Sequence, residues 1–153
     1  MFTNFASDLG VGFDFHLGVS NAVQGINRET IDNTANWGST RRLKSFLNMN
    51  DINIWITDPA AQFFTDGNSF LSIMAQESGH KWLAFVEFMT DTGASNLMLG
   101  RGDAHWNRFA FTESSSLEGN DWVEKSPNNF ENASVVNGFS NLDLYLMGYR
   151  SRE

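Results

Sequence analysis

The stretch from Ser69 to Phe88, SFLSIMAQESGHKWLAFVEF, carries the strongest helical pattern in the chain and constrains the fold most. Phe70, Ile73, Met74, Ala84, Phe85 and Phe88 share one stripe at i, i+3, i+4 spacing, the mark of a helix with one face in a core. Asp66, Asn68 and Ser69 each offer a cap at its start, and DTGASN (Asp91 to Asn96) ends it. Glu77 and His80 fall in the same stripe. A carboxylate and an imidazole on an apolar face need partners, because unpaired burial is costly.

The letters around those two residues are Q-E-S-G-H, one short of the H-E-x-x-H zinc-peptidase signature. In that device two imidazoles one helical turn apart grip Zn²⁺, and the glutamate beside the first serves as general base toward a metal-bound water. Here Glu77 and His80 are in place and Gln76 stands at the first ligand position. An amide oxygen is neutral and a poorer zinc ligand than imidazole. The expected consequence is weaker zinc affinity, a metal preferring oxygen, or an empty site. A bare E-x-x-H is also compatible with a hydrogen-bonded core pair.

Elsewhere the pattern is mixed. VGFDFHLGVS alternates, with Val11, Phe13, Phe15, Leu17 and Val19 on one side and Asp14, His16, Gly18 and Ser20 on the other. Period two predicts a half-buried strand over 11–20 with His16 facing solvent. NAVQGINRETIDNTANWGS reads as a long loop with at most one helical turn. RRLKSFLNMN fits strand or helix, whereas Ile52, Ile54 and Ile56 of INIWI predict a strand. The last third is rich in turn residues until NLDLYLMG.

The 153 residues suit one domain, and the formal charge of -8 with no basic cluster beyond Arg41–Lys44 argues against nucleic acid as a partner. Absence of cysteine removes disulfides and thiolate metal sites. No apolar run approaches the roughly 18 residues of a membrane span. The opening MFTNFASDLG has neither the basic nor the apolar region of a signal peptide.

Four blocks in order, GHKWLAFVEF, LMLGRGDAHWNRF, SSLEGNDW and NLDLYLMGY, together with FHLGVSN and GSTRRLKSFLNMN upstream, resemble a family of bacterial zincin-like metallopeptidase domains. The resemblance implies an α+β zincin-like fold, a twisted mixed sheet packed on an active-site helix at about 69–88. It implies a zinc-dependent hydrolase of peptide bonds, extracellular or at the cell surface, that continues beyond both ends of this chain. Glu77 would be the general base, His80 a zinc ligand, and Gln76 would occupy a ligand position. His105, in DAHW, would be a further ligand or a donor to the transition-state oxyanion. Asp143 and Glu118 are reserve ligands, and Trp82 and Trp106 are expected to wall the pocket.

Other motifs weigh less. Arg101–Gly102–Asp103 lies inside a resembling block and reads as a loop, as does the Asn132–Ala133–Ser134 sequon. Asp91, Glu118, Asn120 and Asp121 are oxygen ligands in turns, so a structural Ca²⁺ is a second cofactor candidate. The alternative to catalysis is a binding or structural descendant of the fold, in which Glu77 and His80 simply stabilise the helix.

Overall fold

The computed structural model describes residues 1–6, 14–63, 67–133 and 138–151. Two compact units make up the chain, one of Met1–Gln24 and Arg28–Lys81, the other of Gly25–Asn27 and Trp82–Glu153. The fold mixes α and β. Among the described residues its sheets are two-stranded antiparallel ladders and its α-helices are two.

In the N-terminal unit, β1 (Phe15–Gly18) pairs antiparallel with β4 (Ser45–Asn48), setting Phe15 opposite Asn48 and His16 opposite Leu47. A shorter ladder joins β2 (Ser20–Asn21) to β3 (Ile31–Asp32) within the segment expected to be loop. The expected helical turn is a 3₁₀ turn at Thr34–Trp37, closed by Gly38 in the left-handed region at φ 62°. INIWI departs from expectation. Ile52–Ile54 forms a 3₁₀ turn because the Asp51 side chain accepts the Asn53 backbone N–H, a local bond that competes with strand pairing.

Helix α1 spans Phe70–Gly79, starting where the sequence placed it and ending nine residues early. Ser69 and Ser72 form a reciprocal capping box. Gly79 weakens the last turn, the His80 N–H closes onto Gln76 and Ser78 carbonyls, and Lys81 bonds back to Ser78. The stripe that seemed continuous to Phe88 crosses from one unit to the other. Leu83 and Ala84 are fully buried in the C-terminal core, with Ala84 at φ 60°, while Phe88 opens strand β5 (Phe88–Thr90), paired with β6 (Gly93–Ser95).

The core of the C-terminal unit is Leu83, Ala84, Trp106 and Leu117, with Trp82, Leu99, Phe139 and Leu142 packed around it. A second hairpin joins β7 (Trp122–Ser126) to β8 (Asn129–Asn132). Its turn is made by Pro127 and Asn128, the latter at φ 61°. Helix α2 (Asn141–Leu146) occupies the NLDLYLMG block. Ser140 and Asp143 form its capping box, and the Asp143 carboxylate also accepts the Trp106 indole N–H at 2.8 Å.

Two outcomes follow from these caps. Asp143→Ala strips the acceptors from the Trp106 indole and the Ser140 backbone N–H, so urea denaturation should show a loss of about 3 kcal/mol or more. Ser69→Ala, at a cap with a single reciprocal partner, should lose about 1 kcal/mol in the same assay.

Candidate functional site

Strand β1 turns its polar side inward. Asp14, at the strand's leading end, is 8% exposed, whereas Leu17 is 40% exposed. Val11 and Phe13, the other expected members of the apolar face, lie outside the described residues. Phe15 packs on Phe46 at 6.4 Å between ring centroids, and Trp37 closes on the same ring. The expectation of a solvent-facing His16 is therefore corrected. Its Nε2 is buried and has no hydrogen-bond partner, and neither carboxylate oxygen of Asp14 has one. Gly18 shares that face, since a Cβ there would sit 3.9 Å from His16 Cε1.

Helix α1 packs against β1 and brings Glu77, 6% exposed, to this side of the unit. Burial, and then the charge of Glu77, push the Asp14 carboxyl up to about 7. Burial followed by the charges of Arg28 and Lys81 holds the His16 imidazole down to about 4. Gln76 and His80 are half-buried on the same final turns of α1, and the His80 carbonyl accepts an Arg28 guanidinium N–H at 3.0 Å.

The remaining sequence candidates belong to the C-terminal unit and are engaged there in other ways. His105 is buried, and its Nδ1–H donates to the Arg101 carbonyl at 2.9 Å. A carbonyl can only accept, so Nε2 is the lone-pair nitrogen, and it faces the Arg101 guanidinium at 2.7 Å. The same guanidinium nitrogen pairs with Glu118 at 2.5 Å, and the imidazole and that carboxylate stand 3.7 Å apart with the arginine between them. Both nitrogens of His105 are thus committed, leaving no N–H for an oxyanion. Asp143 is fully buried, one oxygen held by Trp106 and the other by the Ser140 N–H. Trp106 is a core residue with no exposed surface, and Trp82, half-buried, packs against that core. Of the calcium candidates, Glu118 is ion-paired, and the Asn120 amide is spent on the Arg108 carbonyl and on Asn132.

Among the described residues no three His, Asp or Glu side chains are gathered as a metal site requires. On the β1–α1 face the Asp14 carboxyl, unpartnered and near the Glu77 charge, and His16 Nε2, on which the Arg28 and Lys81 charges act, are buried without hydrogen-bond partners. The C-terminal set does not suit a cation, since a guanidinium already lies between His105 and Glu118. Asp14 and His16 escaped the sequence reading as site residues. Their signal was a D-x-H pair at strand spacing, assigned to the wrong face.

Compared with known protein families, curated proteins and solved structures, the chain matches none.

The two shifted groups act oppositely on stability. Asp14 keeps in the folded state a proton that the unfolded chain releases, so its contribution is full below pH 3.8 and is lost as pH rises through about 7. His16 refuses a proton that the unfolded chain takes, so its contribution is full above pH 6.5 and is lost as pH falls through about 4. Wild type should therefore change little between these limits. Asp14→Asn should gain stability as pH rises over that interval and then hold it, read as urea midpoints in the presence of chelator.

Proposed function

We propose that the chain is a metallopeptidase-like domain of zincin type, acting on peptide bonds, with Glu77 as its acid–base residue. The observation that carries this reading is Glu77 buried near the end of α1, next to Gln76 and one turn before His80, on a face that also holds the unpartnered Asp14 carboxylate. Glu77 takes a proton from the attacking water and returns it to the leaving amine. His80 and Gln76 are the residues of α1 that would hold zinc, through an imidazole nitrogen and an amide oxygen. Bound zinc supplies Lewis acidity toward water and the peptide carbonyl.

The commitment of His105 and Asp143 to contacts inside the C-terminal unit favours a second reading, a non-catalytic descendant that keeps the fold as a binding or structural domain. Casein hydrolysis by three proteins separates the two. Under the peptidase reading the parent has measurable metal-dependent activity, Glu77→Gln loses about 100-fold or more, and Gln76→His gains zinc and rate together. Equal background from all three, with no transition metal retained by Gln76→His, leaves the non-catalytic domain.

A further inference from the structure

We infer that the outer face of the β1–β4 ladder docks onto an anionic lipid bilayer, with Leu17 and Trp37 entering the interface and Arg41, Arg42 and Lys44 meeting the headgroups. This goes beyond the peptidase reading and uses none of its residues.

Charge is spread unevenly along the chain. The formal net charge is -8, yet the stretch from Asn33 to Asn50 contains no Asp or Glu and carries Arg41, Arg42 and Lys44. All three cations are exposed. The Lys44 carbonyl accepts the Val19 and Ser20 backbone N–H groups, which fixes the base of this segment to the strands beside it. Asp32 borders the patch, its carboxylate 3.8 Å from Arg41 Nε. Hydrogen bonds from Thr34 hold the Asp32 carboxyl below the usual carboxylate range, and the Arg41 and Lys44 charges add to that effect. One cation is thereby offset, and a local excess of positive charge remains. Charges more than about 8 Å away are largely screened at physiological salt, so this excess, not the net charge, governs a contact made here.

Apolar groups accompany the cations. Leu17 is 40% exposed and lies directly across the ladder from Phe46. Trp37 is 47% exposed, its ring 6.2 Å from that of Phe46, so the indole is backed by the sheet while the rest of it faces water. An indole favours the headgroup layer, and Lys and Arg beside it attract anionic lipid. Arg41 projects into solvent, its side chain 90% exposed and its contact with Asp32 a long one. Cations so placed suit a fluid sheet of headgroups, which offers charge at every position, better than the fixed carboxylates of a folded partner.

The test uses the full chain and sucrose-loaded vesicles, of phosphatidylcholine alone or of phosphatidylcholine and phosphatidylglycerol in equal parts, with bound protein read by sedimentation. The wild type should partition onto the mixed vesicles and not onto phosphatidylcholine alone, and added salt should release it. Arg41→Gln, Arg42→Gln and Lys44→Gln combined should lower the partition coefficient roughly 100-fold, at about fivefold for each cation. Leu17→Ser should lower it severalfold. Trp37→Phe should remove most of the fluorescence quenching that brominated lipid produces in the wild type. Lys125→Gln, at an exposed cation of β7, should leave partitioning unchanged, and circular dichroism verifies that each variant folds. A wild type that ignores the mixed vesicles overturns the docking face. Undiminished binding in the triple variant overturns it too, as does an equal loss in Lys125→Gln. Capture by soluble polyglutamate without vesicle binding assigns the cations to an acidic polypeptide and overturns the lipid surface.

Discussion

Two carboxylates buried on neighbouring elements, Asp14 before β1 and Glu77 in α1, set the terms for the N-terminal unit. Like charges in a poorly solvated place repel, and burial and then the Glu77 charge push the Asp14 carboxyl up. A fold avoids this arrangement unless its geometry requires it or a ligand relieves it. The unit also buries Ser20, Thr34, Asn48, Asn50, Ser69 and Ser72, while its fully buried apolar side chains are few, Val19 and Met49 among them. Apolar packing is displaced to half-buried aromatic groups: Phe15 with Phe46 and Trp37, and Phe70 with Phe2 and Trp55.

The C-terminal unit solves a different problem. Much of it is turn, and turns must be held without long ladders. Trp106 and Asp143 do this jointly: the indole fills the core and its N–H reaches the carboxylate that caps α2. Backbone bonds then tie the loops to this hub, Trp106 N–H to the Leu117 carbonyl and Gly100 N–H to the His105 carbonyl. Gly100 is tightly confined, since a Cβ there would lie 2.7 Å from the Trp106 carbonyl oxygen. Asp103, Glu113, Ser114 and Glu118 adopt positive φ, a conformation that side chains disfavour and that only surrounding bonds sustain. In this setting the Arg101 guanidinium between His105 and Glu118 reads as loop construction, because it neutralises one partner and fixes the tautomer of the other.

The sequence made α1 and the β1 strand legible for ordinary reasons, namely a capping serine before an apolar stripe and period-two alternation, and left the β4 segment open between strand and helix. Its errors are equally physical. The stripe through Phe88 merged two segments because apolar letters at helical spacing do not say which core they enter; Gly79 was the overlooked stop. The strand containing Asp14 and His16 was recognised, but the rule that the apolar side goes in held only in part: Val19 is buried as expected, while Asp14 and His16 Nε2 of the polar side are buried too. Leu17 outside and Asp14 inside are the two positions that break that rule. The β7–β8 hairpin was missed because both its faces are largely exposed, which leaves no hydrophobic period to read.

Glu77 is the charge that Asp14 meets where α1 packs on β1. Burial, and then that charge, push the Asp14 carboxyl up to about 7, so a proton held on Asp14 relieves the repulsion between the two carboxylates and spares the face a second buried negative charge.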